Sequence, residues 1–166
     1  SRLDRLIERI WAAYGDYDFH LVYHALNNFC AVDLSAFYLD VLKDRIYIAL
    51  PGDRDRLAGM TTMHEILDAL LRLMAPILSF TAEEAYRRTP MAHGESVHLA
   101  PMPEVDAARR DPALEEKWEP LMRVRGEVLK ALEATRQAQE GKGKGNSLNF
   151  EVRVFAPADL TGNLSP

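Results

Sequence analysis

The chain has 166 residues, 48% of them hydrophobic and 27% charged, which suits one globular domain with at most a small appendage. A single cysteine, Cys30, excludes an internal disulfide framework and fits a reducing cytoplasm. The net charge of −5 speaks against a uniformly basic nucleic-acid binder, and no stretch is apolar and long enough to span a bilayer.

The first helix is expected over residues 2–14, where Leu3, Leu6, Ile7, Ile10, Trp11 and Tyr14 recur at steps of three and four. The opening run Ser1-Arg2-Leu3-Asp4 lacks the apolar core of a signal peptide, and its abrupt helical start is expected of a piece of a longer chain. Gly15-Asp16 ends this helix and Asp18 is placed to cap a second, in which Phe19, Val22, Tyr23, Leu26, Phe29 and Cys30 keep the helical spacing. Asp33 is read as the cap of a third helix over residues 34–45, with Phe37, Tyr38, Val41 and Leu42 on its apolar side. Pro51-Gly52-Asp53-Arg54-Asp55 is a turn, and a fourth helix follows over residues 58–75 until Pro76 interrupts it. Thr81 and Glu84 have the spacing of a capping box, which predicts a short fifth helix ending near Arg88.

Residues 89–111 carry Pro90, Pro101 and Pro103 and read as an ordered connector, with Ser96-Val97-His98-Leu99 extended. Asp111-Pro112 starts a long helix, since aspartate suits the N-cap and proline the first turn, and the helix reaches to about residue 140. The run Gly141-Lys142-Gly143-Lys144-Gly145-Asn146 cannot stay helical, because glycine loses too much backbone freedom there. Leu148 to Phe155 alternates apolar and polar residues and reads as a strand, which needs a pairing partner to be stable. The expected architecture is therefore mostly α: a helical bundle over residues 1–140, then a basic Gly/Lys loop, a short β element and a tail over residues 141–166.

No catalytic constellation emerges from these residues. His20 and His24 stand one helical turn apart, but Leu21 follows where a zinc protease helix carries glutamate, and a metal site is not expected. Cys30 lies on an apolar face as a small core residue, and the pairs Glu83-Glu84 and Glu115-Glu116 suit helix N-termini. The Gly-Lys loop follows a helix and precedes a strand, the reverse of a P-loop. Trp11, Trp118, Tyr14, Phe29 and Phe37 all fall at core spacing. Charge is unevenly spread: residues 1–116 hold 12 basic and 19 acidic side chains, whereas residues 117–153 hold 8 basic and 5 acidic. A polyanion would meet the second segment, and its cations Lys130, Arg136, Lys142 and Lys144 are the expected phosphate contacts.

A longer pattern goes further than this charge reading. The run from Tyr17 to Tyr47, above all Asp33-Leu-Ser-Ala-Phe-Tyr-Leu-Asp40 followed by Lys43-Asp44-Arg45, resembles the anticodon-binding domain of the isoleucyl-tRNA synthetase family. Leu73-Met-Ala-Pro-Ile-Leu-Ser-Phe-Thr-Ala-Glu-Glu84 and Ser96-Val-His-Leu99 are similar to segments of the same family. After the long helix the chain departs: Ser147-Leu148 matches, but Asn149 stands where the family usually has an acid. The resemblance implies a helical tRNA-binding module of a class I synthetase, acting on isoleucine tRNA as a cytoplasmic monomer. ATP, magnesium and the editing pocket would belong to catalytic and editing domains outside this chain, whose signature motifs do not occur here. The alternatives are the anticodon-binding domain of a valyl, leucyl or methionyl enzyme, and a helical protein-interaction scaffold without RNA binding, which the acidic first two-thirds would suit.

Overall fold

The computed structural model describes residues 1–90, 94–138 and 150–155. The order of helices is α1 (Arg2–Gly15), α2 (Phe19–Asn28), a π-helical stretch (Phe29–Tyr38), α3 (Leu39–Tyr47), α4 (Arg54–Met74), α5 (Ser79–Arg88) and α6 (Pro112–Ala138). Short 3-10 turns occur at Val97–Leu99 and Ala107–Arg109. The chain divides into two compact units, Ser1–Arg110 and Asp111–Pro166.

The first unit is built on apolar stripes, as the spacing predicts. Leu6, Ile7 and Ile10 of α1 meet Val22 and Leu26 of α2, Phe29, and Leu70 and Leu73 of α4 in one core. Ile10, Val22 and Leu73 are wholly inaccessible, and burying each such side chain is worth about 1.5–3 kcal/mol. A satellite cluster joins Leu71 and Ala75 to Ala82 and Tyr86 of α5 and to Val97. Some aromatic side chains leave the expected core: Phe29 is buried and Tyr14 and Phe37 are half-buried, but Trp11 is 48% exposed. Its indole N–H donates to the Pro103 carbonyl at 2.8 Å, so the ring covers the connector rather than filling the core.

The turn after α1 has an unusual residue in it. Tyr17 N–H donates to the Tyr14 carbonyl at 3.2 Å and Asp18 N–H to the Ala13 carbonyl at 2.8 Å, the bond pair of a Schellman C-cap. The left-handed position of that motif is normally glycine, yet here it is Tyr17, with φ 59°. Gly15, which the sequence suggests as the helix stop, is the last residue of α1 instead.

Asp33 does not cap a third helix. Helical backbone runs on from Phe19 to Tyr47, and Asp33 sits inside its π-helical part, where its carboxylate takes the guanidinium of Arg2. The widened turn, with Leu39 N–H reaching back to the Leu34 carbonyl, lets the chain continue without a break. The fourth helix starts earlier than expected because Asp53 caps it, accepting from Asp55 N–H at 2.9 Å and Arg56 N–H at 3.1 Å. The capping box at Thr81 does not form. Leu78 N–H donates to the Met74 carbonyl and carries the chain round Pro76, so α5 already begins at Ser79 and Thr81 lies within its first turn. Glu84 pairs with Arg88 at 2.7 Å instead. Of Ser96-Val97-His98-Leu99 only Ser96 is extended; Val97–Leu99 is a 3-10 turn, which the Ser96 hydroxyl caps by accepting from His98 N–H.

In the second unit, Asp111 Oδ1 accepts from Leu114 N–H at 2.9 Å, as expected for the start of α6. Pro120 stands inside this helix and leaves the Glu116 carbonyl without its usual donor. Leu114, Trp118 and Leu129 of the expected packing face are 44–50% exposed. Residues 150–155 of the expected strand join no ladder, and no strand occurs among the described residues to pair with them. Leu148, Asn149 and the boundary expected at 140/141 lie outside the described residues.

Candidate nucleic-acid interface

The predicted phosphate contacts on α6 are exposed but already engaged. Lys130 Nζ lies 2.8 Å from Glu127 and the Arg136 guanidinium 3.3 Å from Glu133, each one turn back on the same helix. Such exposed pairs are worth only about 0.2–1 kcal/mol, so a phosphate can displace the carboxylate at small cost. Lys142 and Lys144 lie outside the described residues. Lys43 also leans on a carboxylate, at 2.9 Å from Asp40, and this hydrogen bond holds its ammonium pKa above the usual lysine value.

A second cationic surface lies in the first unit and was not singled out from the sequence. Arg2, Arg5 and Arg9 line a groove of about 410 Å³ together with Asn28, Val32 and Asp33. Their spacing of three and four residues places them along one side of α1, away from its buried stripe of Leu6, Ile7 and Ile10. Asp33 is the carboxylate in the lining, and Arg2 holds it. Arg9 has no carboxylate partner among the described residues. The groove thus keeps a cationic balance inside a part of the chain that is acidic overall, and this local grouping is what a phosphate backbone senses. The readable signal was the Arg2-Arg5-Arg9 spacing; counting charge over residues 1–116 averaged it away.

A different groove, of about 310 Å³, lies between the π-helical stretch, α3 and α4. Leu34, Leu39, Ile46, Met60 and Leu67 line it, and this aliphatic lining offers little to a polyanion. Cys30 is half-buried, and burial pushes its thiol pKa up, which disfavours the nucleophilic thiolate. His20 and His24 are exposed on α2, and among the described residues no set of three metal-ligating side chains gathers anywhere. No helix among the described residues is long and apolar enough to cross a membrane.

Comparison with known proteins addresses the helical unit and its extension together. The family described as "Anticodon-binding domain of tRNA ligase" matches residues 1–151. The isoleucine–tRNA ligase of Carboxydothermus hydrogenoformans is 51% identical over 162 residues, covering 96% of this chain and 17% of the relative. That of Desulforamulus reducens is 46% identical over 166 residues, 99% of this chain and 18% of the relative. That of Moorella thermoacetica is 46% identical over 168 residues, 100% of this chain and again 18% of the relative. This chain thus spans less than a fifth of the length of these relatives. With the family matched over residues 1–151 and the identity sustained along nearly its whole length, the chain belongs to the anticodon-binding domains of tRNA ligases.

Proposed function

We propose that this chain holds the anticodon arm of isoleucine tRNA on behalf of an isoleucine–tRNA ligase. The observation that carries the reading is the 46–51% identity to three isoleucine–tRNA ligases over 96–100% of the chain. Its physical support is the cationic groove of Arg2, Arg5 and Arg9. Arginine gives forked, charge-assisted hydrogen bonds to phosphate oxygens, and these set affinity and salt dependence. In the second unit, Lys130 and Arg136, with Lys142 and Lys144 of the Gly-Lys loop, are the phosphate contacts of this reading.

In this reading the chain carries no catalytic residue. ATP and magnesium serve a catalytic domain elsewhere in the same protein, beside an editing domain. The working form is a cytoplasmic monomer, with tRNA and those domains as its partners. Titration with isoleucine tRNA transcript and with an anticodon-swapped version, at low and moderate salt, tests it. Tighter, salt-sensitive binding of the native anticodon is expected. Equal binding of both transcripts would reduce the role to a general RNA grip, and no binding of either at low salt would reject it.

A further inference from the structure

Arg2, Arg5 and Arg9 span about 10 Å along α1, and all three line the one groove. Asn28 of α2, with Val32 and Asp33 of the π-helical stretch, faces them across it. An uninterrupted track of three guanidinium groups would neutralise the phosphates of whatever strand lay along it, without regard to sequence or shape.

Asp33 interrupts that track. It is the carboxylate set among the lining arginines, and it takes the Arg2 guanidinium. The pair has a fixed member and a movable one. The short Asp33 side chain stands on helical backbone and is 19% exposed, whereas the longer Arg2 side chain, on the first turn of α1, is 52% exposed. Freed from Asp33, Arg2 would reach the same groove as Arg5 and Arg9. As things stand, a phosphate brought to Arg2 also comes up against the Asp33 carboxylate, and like charges at such range repel.

The consequence differs between RNA shapes. An extended single strand can lay successive phosphates along the whole row of arginines, whereas the backbone of a folded hairpin turns and places fewer of them in line. A carboxylate at one end of the row therefore costs the extended strand more than the hairpin. Discrimination of this kind comes from a repulsive group rather than from an added contact.

We infer that Asp33 is a specificity-determining residue of the groove: it occupies Arg2, confines phosphate contact to Arg5 and Arg9, and so penalises a single strand that runs the groove's full length. This rests on the tRNA-binding reading above and adds how that site rejects unrelated RNA. Membership of the anticodon-binding domains favours RNA over an acidic protein as the polyanion.

The test uses the 166-residue chain and two labelled RNAs, a hairpin with the isoleucine anticodon and a single-stranded uridine oligonucleotide of the same length. Dissociation constants are measured between about 50 and 200 mM salt. Asp33→Asn keeps the size of the side chain and releases Arg2. The oligonucleotide then binds about three- to tenfold tighter, and its salt slope steepens by about 0.7, as for one more phosphate of a single strand. The hairpin gains no more than about twofold, so the preference for it falls. The double variant Arg2→Ala/Asp33→Asn returns to the parent's slope on the oligonucleotide, because in the parent this pair neutralises no phosphate. Asp16→Asn is the control. It removes an acidic charge about 20 Å along α1 from Arg2, beyond the screening length of about 10 Å at 0.1 M salt, and changes neither affinity by more than about twofold. Thermal melts accompany each variant, since a tie that merely held α1 in place would shift the melt and leave the slope alone.

Unchanged oligonucleotide affinity and slope in Asp33→Asn would overturn the inference, and so would equal gains by both RNAs. If Asp33→Asn does not fold, the double variant, which leaves neither charge of the pair unmatched, decides by its slope, and any departure from the parent's slope overturns the inference. If the unaltered chain fails to bind the hairpin at low salt, the RNA reading falls and this inference falls with it.

Discussion

The Tyr14 hydroxyl donates to the Leu73 carbonyl at 2.7 Å and so closes the end of α4 from the end of α1. The carbonyl needs that donor, because Ile77 N–H, its partner had the helix continued, turns to Met74 at 3.0 Å beside Pro76. Tyr14→Phe keeps the ring but strands the carbonyl, and it is expected to cost about 1–3 kcal/mol in a denaturant titration. Burial raises the Tyr14 pKa to about 12, above the unfolded value of 10.0. The neutral phenol thus supports the fold fully below pH 10, and that support is lost as pH rises through about 12. Absorbance titration should find one tyrosine ionising near pH 12, and Tyr14→Phe should remove that step.

Glu83 predicts the opposite limb of the pH profile. Its carboxylate accepts from Val97 N–H at 2.9 Å and from the Ser96 hydroxyl at 2.8 Å, and it pairs with Arg87 at 2.6 Å. These bonds, the Val97 N–H first, lower its pKa below the usual 4.5. A lowered folded pKa means a contribution present above 4.5 and lost as pH falls through the folded value. Protection of the Val97 amide, taken against its intrinsic exchange rate at each pH, should therefore fall on acidification, and Glu83→Gln should remove that pH dependence.

Asp53 carries the start of α4. Replacing it by alanine leaves the Asp55 and Arg56 amides without their acceptor, at an expected cost of about 1 kcal/mol. Asp53→Asn, a cap of similar strength, should lie within a few tenths of a kcal/mol of the parent in the same chemical unfolding experiment.

Gly59 lets α3 and α4 approach. A Cβ on it would fall 2.6 Å from Leu42 Cδ1, and Leu42 is buried. Gly59→Ala gains about 1 kcal/mol of helix propensity but forces Leu42 to rotate, so its net effect should stay within about 1 kcal/mol. Gly59→Val loses most of the propensity gain and adds two methyls at the contact; a loss of about 1–3 kcal/mol is expected in thermal melts.

The Gly-Lys loop makes a separate, electrostatic prediction. Lys142→Ala/Lys144→Ala should weaken tRNA binding in a filter assay and reduce the salt slope by about 0.7–0.9 for each phosphate that the loop neutralises. Unchanged affinity and slope would remove this loop from the interface.

Much of the bundle was readable because burial imposes a period on the residues that undergo it. The stripe of Leu6, Ile7 and Ile10 was visible in this way, and the start of α6 at Asp111-Pro112 was visible from its capping chemistry. Local signals failed where a neighbouring element competed for the same group. Asp33 has the chemistry of a cap, but Arg2 claims its carboxylate and the helix runs on through a π-helical turn. Thr81 and Glu84 have the spacing of a capping box, but the turn at Pro76 had already started the helix at Ser79.

The sequence by itself determined the helical class, the apolar stripes, the family pattern around Asp33 to Asp40 and the basic bias of residues 117–153. Only the tertiary structure decided that three arginines of α1 share a groove with Asn28, and that Tyr17 takes the left-handed position beside Phe19. The reason is that periodicity follows from how one helix buries its own face, whereas a groove or a strained turn depends on which side chains a second helix leaves uncovered.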